Sequence, residues 1–262
     1  MTKNKTLKEY AFVLGGYGQI GTEICSSLLD KKDINVVVLD IKNKNFFKKN
    51  KNFFFEYFDC SDLKNIEKNI KNLFKKYKCP KIFINSSYPH TTDWARNTFK
   101  NSKLSSFKKN VEMHLISSCW ILRIVAEFMK KRRVHGSIIS FGSIYGFLAQ
   151  DLLLYSNTRM QENIVYPVIK AGIINYTKQM ASYYGKYKIR INTISPGGLE
   201  GKISGRSSSQ SLVFKKNYKK KTPLNRLATA KDISGAVFFL TSDEASYITG
   251  INLIIDGGYS II

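Results

Sequence analysis

The sequence predicts a single doubly wound α/β domain spanning 1–262, with a central parallel β-sheet flanked by helices. Three observations predict it. Apolar runs of strand length alternate along nearly the whole chain with segments whose apolar residues recur at helical spacing, the pattern of successive βαβ units. The first run closes on a glycine-rich turn and the second on an aspartate. No internal repeat or linker interrupts the 262 residues, a length that suits a full-sized core.

In chain order, 10–14 reads as the first strand. The turn Gly15-Gly16-Tyr17-Gly18-Gln19-Ile20-Gly21 follows, after which Ile20, Ile24 and Leu28 share one helical face. A second strand, 34–39, ends at Asp40, and a third, 53–58, ends at Asp59-Cys60. A helix starting at Ser61 turns Leu63, Ile66, Ile70 and Leu73 inward. Residues 81–85 form a short fourth strand leading into Ser86. A long helix over about 105–131, a strand at 137–140, a helix from about Tyr166 and a strand at 188–194 continue the alternation. Pro167 fits only in a first turn, so that helix starts near Val165. After Ser195-Pro196-Gly197-Gly198 the period is lost in a polar, Ser- and Lys-rich stretch too long for an ordinary connection. Lying beyond a strand end, 199–221 is read as a mobile substrate lid. Thr229 and Asp232 pair as a capping box ahead of a helix over 233–240, and 251–255 is the last strand.

Composition excludes several classes of function. A hydrophobic fraction of 43% with 13% aromatic residues is too apolar for a disordered chain. No apolar run approaches the roughly 20 residues of a membrane span, and the opening segment lacks a secretory core, so a cytoplasmic protein with no membrane partner is expected. Cys25, Cys60, Cys79 and Cys119 form no C-x-x-C pair, and His90, His114 and His135 lie far apart, so neither a metal site nor a disulfide framework is expected. The net charge of +23 would attract phosphate polymers. Yet the lysines fall in short clusters among Asn, Ile, Phe and Tyr, as AT-rich coding drift leaves them on solvated helix faces. Without a zinc finger, RNP aromatic pair or basic zipper, no specific nucleic acid is expected.

The spacing Gly16-x-Gly18-x-x-Gly21 between a strand and a helix suits a dinucleotide pyrophosphate. Glycines admit close backbone approach, and the helix N-terminus offers free N–H groups. Asp40 stands 19 residues after Gly21, placed to accept hydrogen bonds from adenosine ribose hydroxyls and to repel a 2′-phosphate. NAD is therefore expected over NADP, although Lys42 and Lys44 could soften the preference. Tyr166 and Lys170 are four apart and share a helix face. A nearby cation lowers a phenol pKa from about 10, so Tyr166 could exchange a proton with a substrate oxygen.

These motifs, taken in order, resemble the short-chain dehydrogenase/reductase family from the first strand to Asp256-Gly257-Gly258. The resemblance implies a Rossmann-type fold, a small-molecule substrate, and hydride transfer with Tyr166 as acid/base. Lys170 would lower the Tyr166 pKa and hold the nicotinamide ribose, and Ser143 would bond the reacting oxygen. The cofactor would lie against Gly15, Gly16, Gly18, Gln19, Ile20 and Gly21. Asp59 with Cys60 would contact its adenine, Asn85 with Ser86 its adenosine side, and Pro196 with Gly197 its nicotinamide. A homo-dimer or homo-tetramer is implied through the helices over 105–131 and 166–184, where Trp120, Phe128, Tyr183 and Tyr184 are either contacts or core.

The chain departs from the family pattern in three places. Leu14 replaces a threonine, and Gln19 replaces the middle glycine. His114 stands where the family has a proton-relaying asparagine, with Asn110 one turn earlier, and an ordinary pKa near 6.5 would let it relay protons. Ser143 and Tyr166 are 23 residues apart, well beyond the family's usual separation, the extra residues falling in 147–165. That insertion resembles a bacterial subgroup linked to flagellin and surface-polysaccharide sugars. It implies a sugar-derived substrate whose phosphate could meet Arg206, Lys215 and Lys216. The rival readings are a non-catalytic dinucleotide-binding or scaffold protein and a basic nucleic-acid binder.

Overall fold

The computed structural model describes residues 8–30, 34–201 and 209–262. Seven parallel strands form one sheet in the order β3-β2-β1-β4-β5-β6-β7. They are β1 (Glu9–Leu14), β2 (Ile34–Asp40), β3 (Phe53–Tyr57), β4 (Ile82–Asn85), β5 (Ser137–Phe141), β6 (Arg190–Pro196) and β7 (Asn252–Ile255). The strand order reverses between β1 and β4, which opens a crevice at the carboxyl ends of the strands, the usual ligand position in open α/β sheets.

The helices are α1 (Gln19–Asp30), α2 (Ile66–Tyr77), α3 (Leu104–Asn110), α4 (Ser117–Arg132), α5 (Val165–Tyr184), α6 (Leu212–Lys220) and α7 (Ala230–Thr241). Strand side chains alternate between two core layers because successive Cβ atoms point to opposite faces. Phe12, Leu14, Val37 and Leu39 meet Ile70, Leu73, Ile121 and Val125 of α2 and α4. Ala11, Val13, Val36 and Val38 meet Ile24, Leu28, Ile233 and Val237 of α1 and α7. Covered on both faces, the central strands are nearly continuous apolar runs.

Three local features differ from the sequence expectation. The helix expected from Ser61 begins at Ile66, because Asp59 Oδ1 accepts both the Ser61 N–H (2.8 Å) and its hydroxyl (2.6 Å) in a turn that competes with helix. The long helix is continuous but passes through a π-helical stretch, Val111–Ile116, between α3 and α4. The expected lid contains an ordered helix: Ser211 caps α6 by accepting the Phe214 N–H (3.0 Å), and Phe214 and Tyr218 are buried one turn apart. Arg206 lies outside the described residues. The capping box forms at Thr229 and starts α7 at Ala230. No helix among the described residues is long and apolar enough to cross a membrane.

Candidate active site

The glycine turn depends on backbone contacts too close for side chains. Gly15 sits at φ +74, and a Cβ there would stand 2.7 Å from the Ser87 backbone. A Cβ on Gly21 would come within 2.2 Å of the Gly15 carbonyl oxygen. The Gly18 N–H donates to that same carbonyl (2.9 Å), tightening the turn. Gln19 and Ile20 open α1, so the unpaired N–H groups and positive end of the helix face this turn. Just beyond β4, the Ser86 hydroxyl donates to the Leu14 carbonyl (2.8 Å), so it anchors the turn from below.

At the end of β2, Asp40 accepts the Tyr17 N–H on Oδ2 (3.0 Å) and the Ile41 N–H on Oδ1 (2.8 Å), which orients its carboxylate. Lys44 commits its ammonium to the Tyr17 carbonyl (2.8 Å). Asp59 is engaged by Ser61, and Cys60 is buried, its thiol pushed up to about 11 by desolvation. Asn85 donates to the Ser118 hydroxyl (2.9 Å) and accepts from the Ser87 hydroxyl (2.6 Å). Neither serine carries a signal in the sequence. At the end of β6, beside Pro196, the Gly197 N–H donates to the Ile255 carbonyl (2.9 Å) and the Gly198 N–H to the Tyr218 hydroxyl (2.5 Å).

Ser143, Tyr166 and Lys170 come together where β5 ends and α5 begins. Asn163 Oδ1 accepts the N–H groups of Val165 and Tyr166 (3.0 Å each), fixing the first turn of α5. The Ser143 hydroxyl, buried beyond β5, accepts the Tyr145 N–H (3.2 Å) and lies close enough to the Tyr166 phenol to favour its ionised form. The buried Lys170 ammonium donates to the Phe141 carbonyl (2.9 Å) and lies 5.6 Å from the Tyr166 ring centroid and 5.5 Å from that of Tyr88. Burial lowers Lys170 to about 7. It also raises the Tyr166 phenol, against a smaller lowering by Ser143. Lys170 adds no lowering of its own here, so in place of the cation-driven lowering expected from the sequence, desolvation sets the direction.

His114 lies in the π-helical stretch, buried, its ring 5.0 Å from Tyr88 and its Nδ1 without a hydrogen-bond partner. Burial, and then the charges of Lys170 and His90, hold it well below 6.5, so it is neutral at pH 7. This corrects the expectation of an ordinary, readily protonated histidine; desolvation is the reason. Asn110 is committed elsewhere, accepting the Thr91 N–H (2.9 Å) and donating to the Thr91 hydroxyl (2.8 Å).

The insertion after Ser143 packs onto α6. Leu154 is fully buried with Ile144, Phe214, Tyr218 and Tyr259. Tyr155 stacks on Phe214, Tyr218 stacks on Tyr259, and Lys221 pairs with Asp151. The far end of the insertion is tied to the 94–97 turn: Asn163 Nδ2 donates to the Trp94 carbonyl (2.8 Å) and the Ile164 N–H to that of Asn97 (2.8 Å). This cap was legible in the sequence only as extra length.

The family described as enoyl-(acyl carrier protein) reductase matches residues 19–260. The post-translational flagellin modification protein A of Campylobacter coli is 30% identical over 270 residues, spanning 100% of both chains. A D-arabinitol 2-dehydrogenase (ribulose-forming) of Candida tropicalis is 33% identical over 145 residues, which is 55% of this chain and 49% of that one. Among solved structures, a short chain dehydrogenase from Leptospira borgpetersenii with bound NAD+ superposes with a TM-score of 0.85 at 34% identity, covering 97% of this chain and 93% of that one.

Proposed function

The chain belongs to the short-chain dehydrogenase/reductase family of oxidoreductases, and we propose that it interconverts a secondary alcohol and a ketone on a sugar-derived metabolite with NAD(H). The observation that carries this reading is the meeting of Ser143, Tyr166 and Lys170 at the carboxyl ends of the strands. The two relatives support the sugar substrate by what their names describe, flagellin modification and polyol oxidation.

A dinucleotide fits the residues present, because the glycines pack the turn tightly against its own backbone and so set it beside the N-terminus of α1, whose N–H groups are open to a diphosphate. Gln19 and Ile20 would hold the diphosphate with that turn, and Asp40 the adenosine ribose. Asp59, Cys60, Asn85 and Ser86 would line the adenosine side, and Pro196, Gly197, Tyr166 and Lys170 the nicotinamide riboside. NAD is favoured because Asp40 opposes a 2′-phosphate and Lys44 is spent on Tyr17. The bound cofactor supplies the hydride in reduction and accepts it in oxidation.

Ser143 holds the substrate oxygen against Tyr166, which gives that oxygen a proton in reduction and takes one back in oxidation. Lys170, poised near neutrality, returns the proton to Tyr166. His114, neutral and with Nδ1 unpaired, is the next group in the proton path. Lys215 is paired with Glu200 (2.5 Å), which leaves Lys216, Lys219 and Lys220 around a recess of about 430 Å³ to attract an anionic group of the substrate. The cap of 147–164 with α6 serves as the substrate wall. A second copy would pack on α4 and α5, where Trp120 and Tyr183 are exposed while Phe128 and Tyr184 join the core.

Titration with NADH and NADPH, followed by nicotinamide fluorescence at about 0.15 M salt to screen loose phosphate attraction, tests the cofactor. NADH should bind more tightly, and polyol or sugar substrates should then show turnover that Tyr166→Phe abolishes. Preference for NADPH overturns the Asp40 assignment, and undiminished turnover in Tyr166→Phe overturns the catalytic one.

A further inference from the structure

Gln19 opens α1, yet its side chain leaves its own turn. Its Nε2 crosses to the loop after β6 and donates to the Glu200 backbone carbonyl at 2.5 Å, 181 residues away in sequence. The receiving loop is held firmly. The Glu200 N–H donates to the Ala228 carbonyl (2.9 Å), Gln210 Nε2 to that of Leu199 (2.8 Å), and Lys215 pairs with the Glu200 carboxylate.

Room for the Gln19 carboxamide comes from Gly201. A Cβ built there would stand 2.7 Å from Gln19 Oε1 and 2.8 Å from Nε2, so even alanine at 201 would force the amide to shift from this position. The long side chain at 19 and the absent one at 201 are therefore two halves of one contact. One end rests on the phosphate turn, and the other lies four residues beyond Pro196-Gly197. Those are the two lips between which a dinucleotide would lie.

We infer that Gln19 is a cofactor-retaining residue: its carboxamide bridges the phosphate turn and the β6 loop and closes the cleft on a bound dinucleotide, with Gly201 as the space that admits it. The inference rests on the dinucleotide reading above. A ligand of that length must part the bridge to leave, so the contact acts on dissociation rather than on hydride transfer. Losing one amide–carbonyl hydrogen bond corresponds to about a two- to tenfold change in rate.

The test uses stopped-flow displacement of NADH by excess NAD+ from the unmodified protein, Gln19→Ala, Gly201→Ala and the double variant, with melting temperature measured alongside. Each single variant should release NADH about two- to tenfold faster. The double should be no faster than either single, since both remove the same contact. A purely structural role would lower the melting temperatures and leave the dissociation rates alone, and that result overturns the inference. Additive rates in the double variant overturn the pairing of 19 with 201. Gln19→Met, which keeps much of the length, stays uncharged and cannot donate, should match Gln19→Ala even if Gly201→Ala folds poorly; release at the unmodified rate counts against the bridge. If the unmodified protein binds neither NADH nor NADPH, the dinucleotide reading falls and the bridge with it.

Discussion

The phosphate turn and the 147–164 cap serve one site by opposite means. The turn is backbone against backbone: a Cβ at Gly21 would lie 2.2 Å from the Gly15 oxygen, so the geometry admits no side chain. The cap is side chain against side chain, with Leu154, Tyr155, Phe214, Tyr218 and Tyr259 filling a small core of their own. A cofactor common to many enzymes can be met by fixed backbone. A substrate particular to one enzyme is better met by packing that tolerates exchange.

The largest effect should fall between the two regions. Tyr166→Phe should lower kcat/KM by about 10²- to 10⁴-fold and leave NADH affinity intact in a fluorescence titration. Equal loss of both would mean that the phenol mainly shapes the fold. Leu154→Ala should cost about 2–5 kcal/mol of packing within the cap. Substrate KM should then rise while NADH affinity holds, a split that would vanish if cap and turn formed one cooperative unit. Gly21→Ala should do the reverse: an overpacked turn costs about 1–3 kcal/mol, seen as weakened NADH binding with the cap still folded by native-state hydrogen exchange.

Lys170 links the two regions through pH. Its pKa is about 7 in the folded protein and about 10.4 when unfolded. The unfolded chain therefore binds the extra proton between those values. The resulting penalty is fully present below about pH 7 and gone above about pH 10.4. Lys170→Met should melt higher than the unmodified protein at pH 7 by at least about 2–4 °C, with the gap closing toward pH 10. A pH-independent gap would mean that Lys170 is charged in the folded state. The smallest effect is expected from Lys221→Ala. Its pairing with Asp151 is partly exposed, so chemical denaturation should register no more than about 1 kcal/mol.

The sequence disclosed what short-range spacing can carry. Gly16-x-Gly18-x-x-Gly21 marks a turn because only backbone fits there. Asp40 marks a strand end, and Tyr166 with Lys170 falls on one face because a helix repeats every 3.6 residues. Ser61 was misleading because a hydroxyl beside Asp59 serves a turn as readily as a helix start. The burial of His114 was hidden because it depends on Tyr88, Lys170 and His90 converging from separate elements. The Gln19–Glu200 contact and the packing of Leu154 on Tyr218 join residues with no periodic relation, so only the folded chain reveals them.

The wide turn at Val111–Ile116 gives the long helix two phases. A π-helical turn holds one residue more than an α-helical one, and each residue turns an α-helix by about 100°. Ahead of it, Ser106 and Asn110 keep step with Asn97 and Thr91. Behind it, Ile121, Val125 and Met129 keep step with the sheet. Deleting one residue from the stretch would rotate one half of the rod against the other, and His114 could not remain beside Tyr88 while both halves kept their neighbours. The identity of the residue facing Tyr88 is thus set by where the extra residue lies as much as by which amino acid occupies position 114.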